Sequence, residues 1–136
     1  MAEIFMNPED DPSVWLLKAG RDLALVRDTA TAHANDYPDL ICYHCQQSAE
    51  KYLKALLAHH KQPVRRTHDL EELLDLLIAF DLGITADHYN QAIKINDYAV
   101  LVRYPGFFLE LTEADVQEAF ACAEFFQDFA LRRMGR

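Results

Sequence analysis

Leu70, Leu73, Leu74 and Leu77 stand at i, i+3, i+4 and i+7 in "HDLEELLDLLIAF", with acids in the first turn. Similar helical spacing puts Trp15, Leu16, Ala19, Leu23, Val26 and Ala30 on one face, and Val116, Ala119, Phe120, Ala123, Phe126 and Ala130 on another. That period turns one side of a helix toward a core, whereas a half-buried strand would alternate residue by residue. With four glycines and five prolines in 136 residues, the chain also lacks the many tight turns of an all-β fold. The expected class is all-α.

The punctuation divides the chain into an antiparallel, up-and-down four-helix bundle with an additional short helix. Asp11 and Pro12 fit the cap and first position of the first helix. A second helix is expected from about Asp39 to Lys61, and "KQPVRRT" connects it to the short leucine helix, which "DLG" stops. Thr85 caps a fourth segment running through "ADHYNQAIKINDYAVLVRY" until Pro105 ends it. Thr112 and Asp115 form a capping box that opens the last helix, to about Arg133. One domain over 12–133 follows an N-terminal extension at 1–11.

"MAEIFMNPEDDP" has no basic and apolar leader pattern, and no apolar run approaches membrane-spanning length. The cysteines, three in number, suit thiols in a reducing cytoplasm. The net charge of −9 argues against generic nucleic-acid affinity. Yet "KYLKALLAHHKQPVRRTH", Lys51 to His68, carries five Lys or Arg and no Asp or Glu. One local basic segment on an acidic protein can steer an anion to a single place.

"CYHCQQSAEK" raises the question of a metal or redox site. On a helix turning about 100° per residue, Cys42 and Cys45 join Ala49, Tyr52, Leu53 and Leu56 on the apolar stripe. His44 points about 100° or more away from both, so these groups do not converge on one ion. The expectation is small buried thiols, with no metal and no cofactor.

On the opposite side of that stripe, His44, Gln47, Lys51 and Lys54 lie within about 80° of one another. A solvated outer face with an ordinary Glu50–Lys54 pair accounts for them, and so does a binding surface.

"HCQQSAEKYLKALL", then "RTHDLEELL", then "NDYAVLVRYPG" resemble, in this order, the HEPN family (higher eukaryotes and prokaryotes nucleotide-binding). The resemblance extends from about Pro12 to Arg133. It implies an antiparallel helical bundle, usually a homodimer, often encoded beside a minimal nucleotidyltransferase. It also implies nucleotide or RNA binding and, in some branches, metal-independent RNA cleavage in toxin–antitoxin systems. By that resemblance His44, Gln47, Glu50, Lys51 and Lys54 match the family's helix motif, and His68 matches its "tHdL" histidine. Lys51, Lys54, Arg65 and Arg66 would hold phosphate, while His44, Gln47 and His68 would orient the ligand. A local cap or pair is an equally simple role for His68.

RNA-cleaving members carry an Arg followed, after four to six residues, by a His. The Arg stabilises phosphorane charge and the His moves a proton. Arg103 occupies the family's position, but Phe108, Leu109 and Glu110 stand where the histidine should be. Only Glu110 could act as a base. Arg27 and His33 meet the spacing at the wrong place in the fold. A non-catalytic binding module is therefore expected, with a ribonuclease using Arg103, or a protein-interaction module, as alternatives. Phe125 and Phe129 project roughly opposite the core face of the last helix. They suggest a dimer interface, unless "GFF" or the Ile4–Phe5 pair folds over them.

Overall fold

The computed structural model describes residues 7–136. The first six residues of the expected extension, with Ile4 and Phe5, lie outside that range. Helices are the only regular elements among the described residues: α1 (Pro12–Thr29), α2 (Pro38–His59), α3 (Leu70–Leu77), α4 (Ala86–Ile95), α5 (Tyr98–Leu101) and α6 (Glu113–Arg133), with single 3-10 turns at Pro8–Asp10, Ile78–Phe80 and Phe107–Glu110.

Local chemistry sets most of these boundaries. The Asp11 carboxylate accepts from the Ser13 amide at 2.9 Å, and Pro12 follows it. Asp69 accepts from the amides of Glu71 and Glu72 to start α3. Thr112 and Asp115 form the reciprocal capping box at α6, and Thr85 forms another at α4 with His88 as its third residue. Each such cap stabilises its helix by about 1 kcal/mol. Beyond α2, Lys61 takes a left-handed φ of 58°, a conformation usual at helix ends but more often given to glycine.

Side-chain register gives the helix directions. Lys54 meets Trp15, Ser48 donates to the Ala19 carbonyl, and His44 meets Asp22. Thus α2 descends as α1 ascends. Gln91 meets Cys122 while His88 meets Phe125 and Phe129, so α4 opposes α6. The Cys42 thiol meets the Asp115 carbonyl and Gln127 donates to the Tyr52 hydroxyl, so α6 runs with α2. The longer helices α1, α2, α4 and α6 alternate up and down. The short helix α3 runs with α2, because the 60–69 connection first doubles back along it: His68 reaches Glu50, and Leu76 lies near Leu57.

Leu23 and Val26 of α1, Leu53 and Leu56 of α2, the four α3 leucines, Ile95 of α4 and Phe126 of α6 are fully buried. Their burial supplies about 1.5–3 kcal/mol for each large side chain. The central element is α2, which packs on α1, α3, α5 and α6.

Two sequence expectations need correction. The fourth segment is not one helix to Tyr104. It pauses at Asn96 and Asp97, where the Asn96 side chain turns back to cap α3, accepting from the Leu70 amide at 2.8 Å and donating to Asp69 at 3.0 Å. Phe125 and Phe129 do not project freely either. Phe129 is only 5% exposed, and Phe125 packs against the core. His88 of α4 lies over both, with ring centroids 5.0 and 4.6 Å away, and the Arg133 guanidinium also lies over the Phe129 ring. The cover comes from α4 rather than from "GFF", whose Phe107 instead faces Tyr98.

Candidate functional site

The polar positions of α2 are not a solvated outer face. Gln46, Ser48, Glu50 and Lys54 are buried, while His44, Gln47 and Lys51 are partly buried. The helical period gives direction around one axis, but α2 has neighbours on nearly every side, so its polar stripe faces protein too.

Two carboxylates organise that stripe. Asp22 of α1 holds His44 Nδ1 at 2.9 Å on one oxygen and Lys51 Nζ on the other. Burial pushes the Asp22 carboxyl up, but the hydrogen bonds and charges of His44 and Lys51 outweigh it and hold the group below its ordinary value. Glu50 repeats the arrangement with His68 Nδ1 at 2.8 Å and Lys54 Nζ at 3.1 Å. Its side chain is 4% exposed, and that of Lys54 is 6%.

Supporting contacts fix the second cluster. Gln46 donates to the His68 carbonyl at 2.9 Å, and Gln47 donates to the Gln46 side chain at 2.7 Å. The Lys54 ammonium sits 5.4 Å from the Trp15 ring centroid, a cation–π distance, and the Trp15 indole donates to the Glu9 carbonyl. Lys54 therefore holds Glu50 and is not open to a phosphate. His68 remains 61% exposed, and with Nδ1 on Glu50 its Nε2 is the nitrogen left for a ligand.

Arg65 and Arg66 lie in the 60–69 connection beside His68. Their side chains are 63% and 92% exposed, and their ion pairs, with Glu72 at 3.5 Å and Glu9 at 3.9 Å, are loose. Such surface pairs contribute about 0–1 kcal/mol and yield readily to a ligand. At the other end, beside Asp22 and Lys51, stand Lys18 and Arg21 of α1. Both are exposed.

The sequence reading missed Asp22, Lys18 and Arg21. No local pattern marks them. Only the α1–α2 register brings Asp22 to His44 and Lys51. A carboxylate on a helix with four-residue neighbours Lys18 and Val26 gives no sign of a partner on another helix.

Arg103 is exposed in the turn after α5, and Glu110 is exposed in the single helical turn Phe107–Glu110. Arg27 donates to Gln127 and pairs with Glu124, while His33 pairs with Asp36 and stacks on Tyr37. Each of these two is thus engaged with its own neighbours. Cys42, Cys45 and Cys122 are free and buried. Burial pushes the thiols up, to about 12 for Cys42 and about 11 for Cys122, far from reactive thiolates. No group of three or more His, Cys, Asp or Glu side chains among the described residues is arranged to hold a metal.

Comparison with protein families matches the HEPN domain over residues 12–134. The chain belongs to the HEPN family. Its fold is also that of TT1696 from Thermus thermophilus, whose crystal structure aligns with a TM-score of 0.81 at 25% identity, covering 94% of this chain and 99% of that one. Comparison with curated proteins gives no match. Within this HEPN chain, the helix motif and the "RTHDL" histidine meet at one carboxylate, Glu50.

Proposed function

We propose that this HEPN protein is a nucleotide- or RNA-binding module without autonomous catalysis. The observation that carries this reading is the paired carboxylate–histidine–lysine clusters along α2, with exposed Arg65, Arg66 and His68 at one end and Lys18, Arg21 and Lys51 at the other. Buried Glu50 neutralises Lys54 and sets His68, partly buried Asp22 sets His44 and steadies the half-buried Lys51, and the outer cations stay available for phosphate. His44, Gln47 and His68 orient the ligand; Lys51, Arg65 and Arg66 bind its charge; Lys54 acts through Glu50.

The proposal extends to partners. A homodimer would use the exposed apolar side chains Val100, Tyr104, Phe108 and Leu109, which flank Arg103 in sequence. This surface replaces the covered phenylalanines of α6 as the proposed interface, and it would put Arg103 at the dimer cleft. A minimal nucleotidyltransferase is the proposed protein partner, in a toxin–antitoxin-like pair working in the cytoplasm, by likeness to the family. Among the described residues no helix is long and apolar enough to cross a membrane.

Binding of a fluorescent single-stranded RNA across a salt series tests the central claim. Arg65→Ala/Arg66→Ala should weaken it and flatten the salt slope by about 0.7 for each phosphate no longer neutralised. No binding by the wild type at low salt would remove the proposal's basis.

A second reading, a metal-independent ribonuclease, is favoured by the exposure of Arg103 in the turn after α5, with Glu110 also exposed nearby in sequence. Incubation of cellular RNA in excess chelator, beside an Arg103→Ala control, separates the two readings. Cleavage that disappears in the control supports the ribonuclease.

A further inference from the structure

Lys18, Arg21 and Lys51 surround a surface basin of about 410 Å³ whose lining includes one carboxylate, Asp22. That carboxylate is already matched by Lys51 and His44. Lys18 and Arg21 are therefore left as uncompensated positive charge, with no ion-pair partner among the described residues. The basin suits an anion.

Leu25 forms one wall of the basin and also one wall of an adjoining groove of about 160 Å³, lined mainly by Tyr37, Leu40, Ile41 and His44. Leu25, Leu40 and Tyr37 are 45%, 49% and 36% exposed, so apolar and aromatic surface is open there. Arg21 and Leu25 are about one helical turn apart, roughly 5–6 Å between their Cβ atoms. His44 joins the two halves, with Nδ1 on Asp22 and its ring on the groove.

We infer that this face of α1 and α2 is a bipartite nucleotide subsite: phosphate in the Lys18–Arg21–Lys51 basin and base against Tyr37, Leu25 and Leu40. This rests on the nucleotide-binding reading and deepens it, placing one nucleotide unit at the α1 edge, separate from the charge held by Arg65 and Arg66. The groove is smaller than the roughly 300–1,000 Å³ of a drug-sized site, so it takes one ring system. An aromatic wall beside cations is the pattern by which a base stacks while its phosphate is held. The nucleotide unit can be free or part of a single strand.

Amide NMR titrations of the whole chain with inorganic phosphate, AMP and a short oligoadenylate test the assignment. AMP should move amides in 18–25 and 37–44, and phosphate only those around Lys18 to Asp22. Lys18→Ala/Arg21→Ala should weaken both about a hundredfold, roughly tenfold for each of the two charge-assisted hydrogen bonds lost. Tyr37→Ala should weaken AMP and spare phosphate. Oligoadenylate shifts at this face without AMP shifts support the subsite with a strand as its source. Shifts confined to Arg65–His68 overturn the subsite and leave nucleotide binding standing. AMP binding no tighter than phosphate overturns the base half. An absence of shifts from all three overturns both readings.

Discussion

Glu50 Oε1 and His68 Nδ1 lie 2.8 Å apart, joining the middle of α2 to the connection that leads into α3. The same carboxylate holds Lys54 in the interior, so it both neutralises a buried ammonium and fixes an exposed imidazole. Glu50→Gln should leave Lys54 without its counter-charge and cost about 3–5 kcal/mol. Glu50→Gln/Lys54→Met should recover most of that loss. Urea unfolding of the single and double variants checks the pair.

Asp22 gives a pH signature of its own. Its folded value lies below the ordinary 3.8, so its stabilisation is complete above that value and drains away as pH falls through the folded one. Asp22→Asn should cost about 2 kcal/mol near neutrality, from two charge-assisted hydrogen bonds. The gap from wild type should narrow as pH falls below 3.8. Denaturation midpoints across pH measure it.

His88 gives the second. Burial pulls it below the ordinary 6.5, with Asp87 raising it and Arg133 lowering it further. Its Nδ1 accepts from the Thr85 amide at 3.0 Å, an acceptance that protonation there removes. Stability should be complete above 6.5 and fall as pH drops through the lower folded value. His88→Gln should show a flatter profile over that window in the same urea experiment.

The proposed dimer surface is tested by Leu109→Asp. Leu109 is 77% exposed, so the change should spare the monomer fold, with stability altered by less than about 0.5 kcal/mol. It should shift native mass from dimer to monomer in light scattering. A wild-type monomer, or an unchanged dimer, would count against this surface.

Much of the fold was legible because helix starts are local events. Asp11, Thr85 and Thr112 cap the helices that follow them, and the α3 leucines all reach the core. The site was legible only in part. Residue type and spacing singled out His44 and Lys51, and the family resemblance added His68, but burial depends on how many neighbours a helix has. That is why Lys54 reads as an outer residue and proves enclosed, and why Phe129 reads as exposed and proves covered. Asp22 acquires its partners only through the pairing of two helices, which no single-helix periodicity contains.

The enclosure of α2 has a consequence for how such a protein can diversify. Glu50 and Lys54 are tied into the packing of neighbouring helices, so exchanging them to suit another ligand would loosen the whole bundle. Lys18, Arg21, Arg65 and Arg66 carry no such burden. In the proposed binding role, ligand preference can drift at that rim while the chassis beneath it stays unchanged.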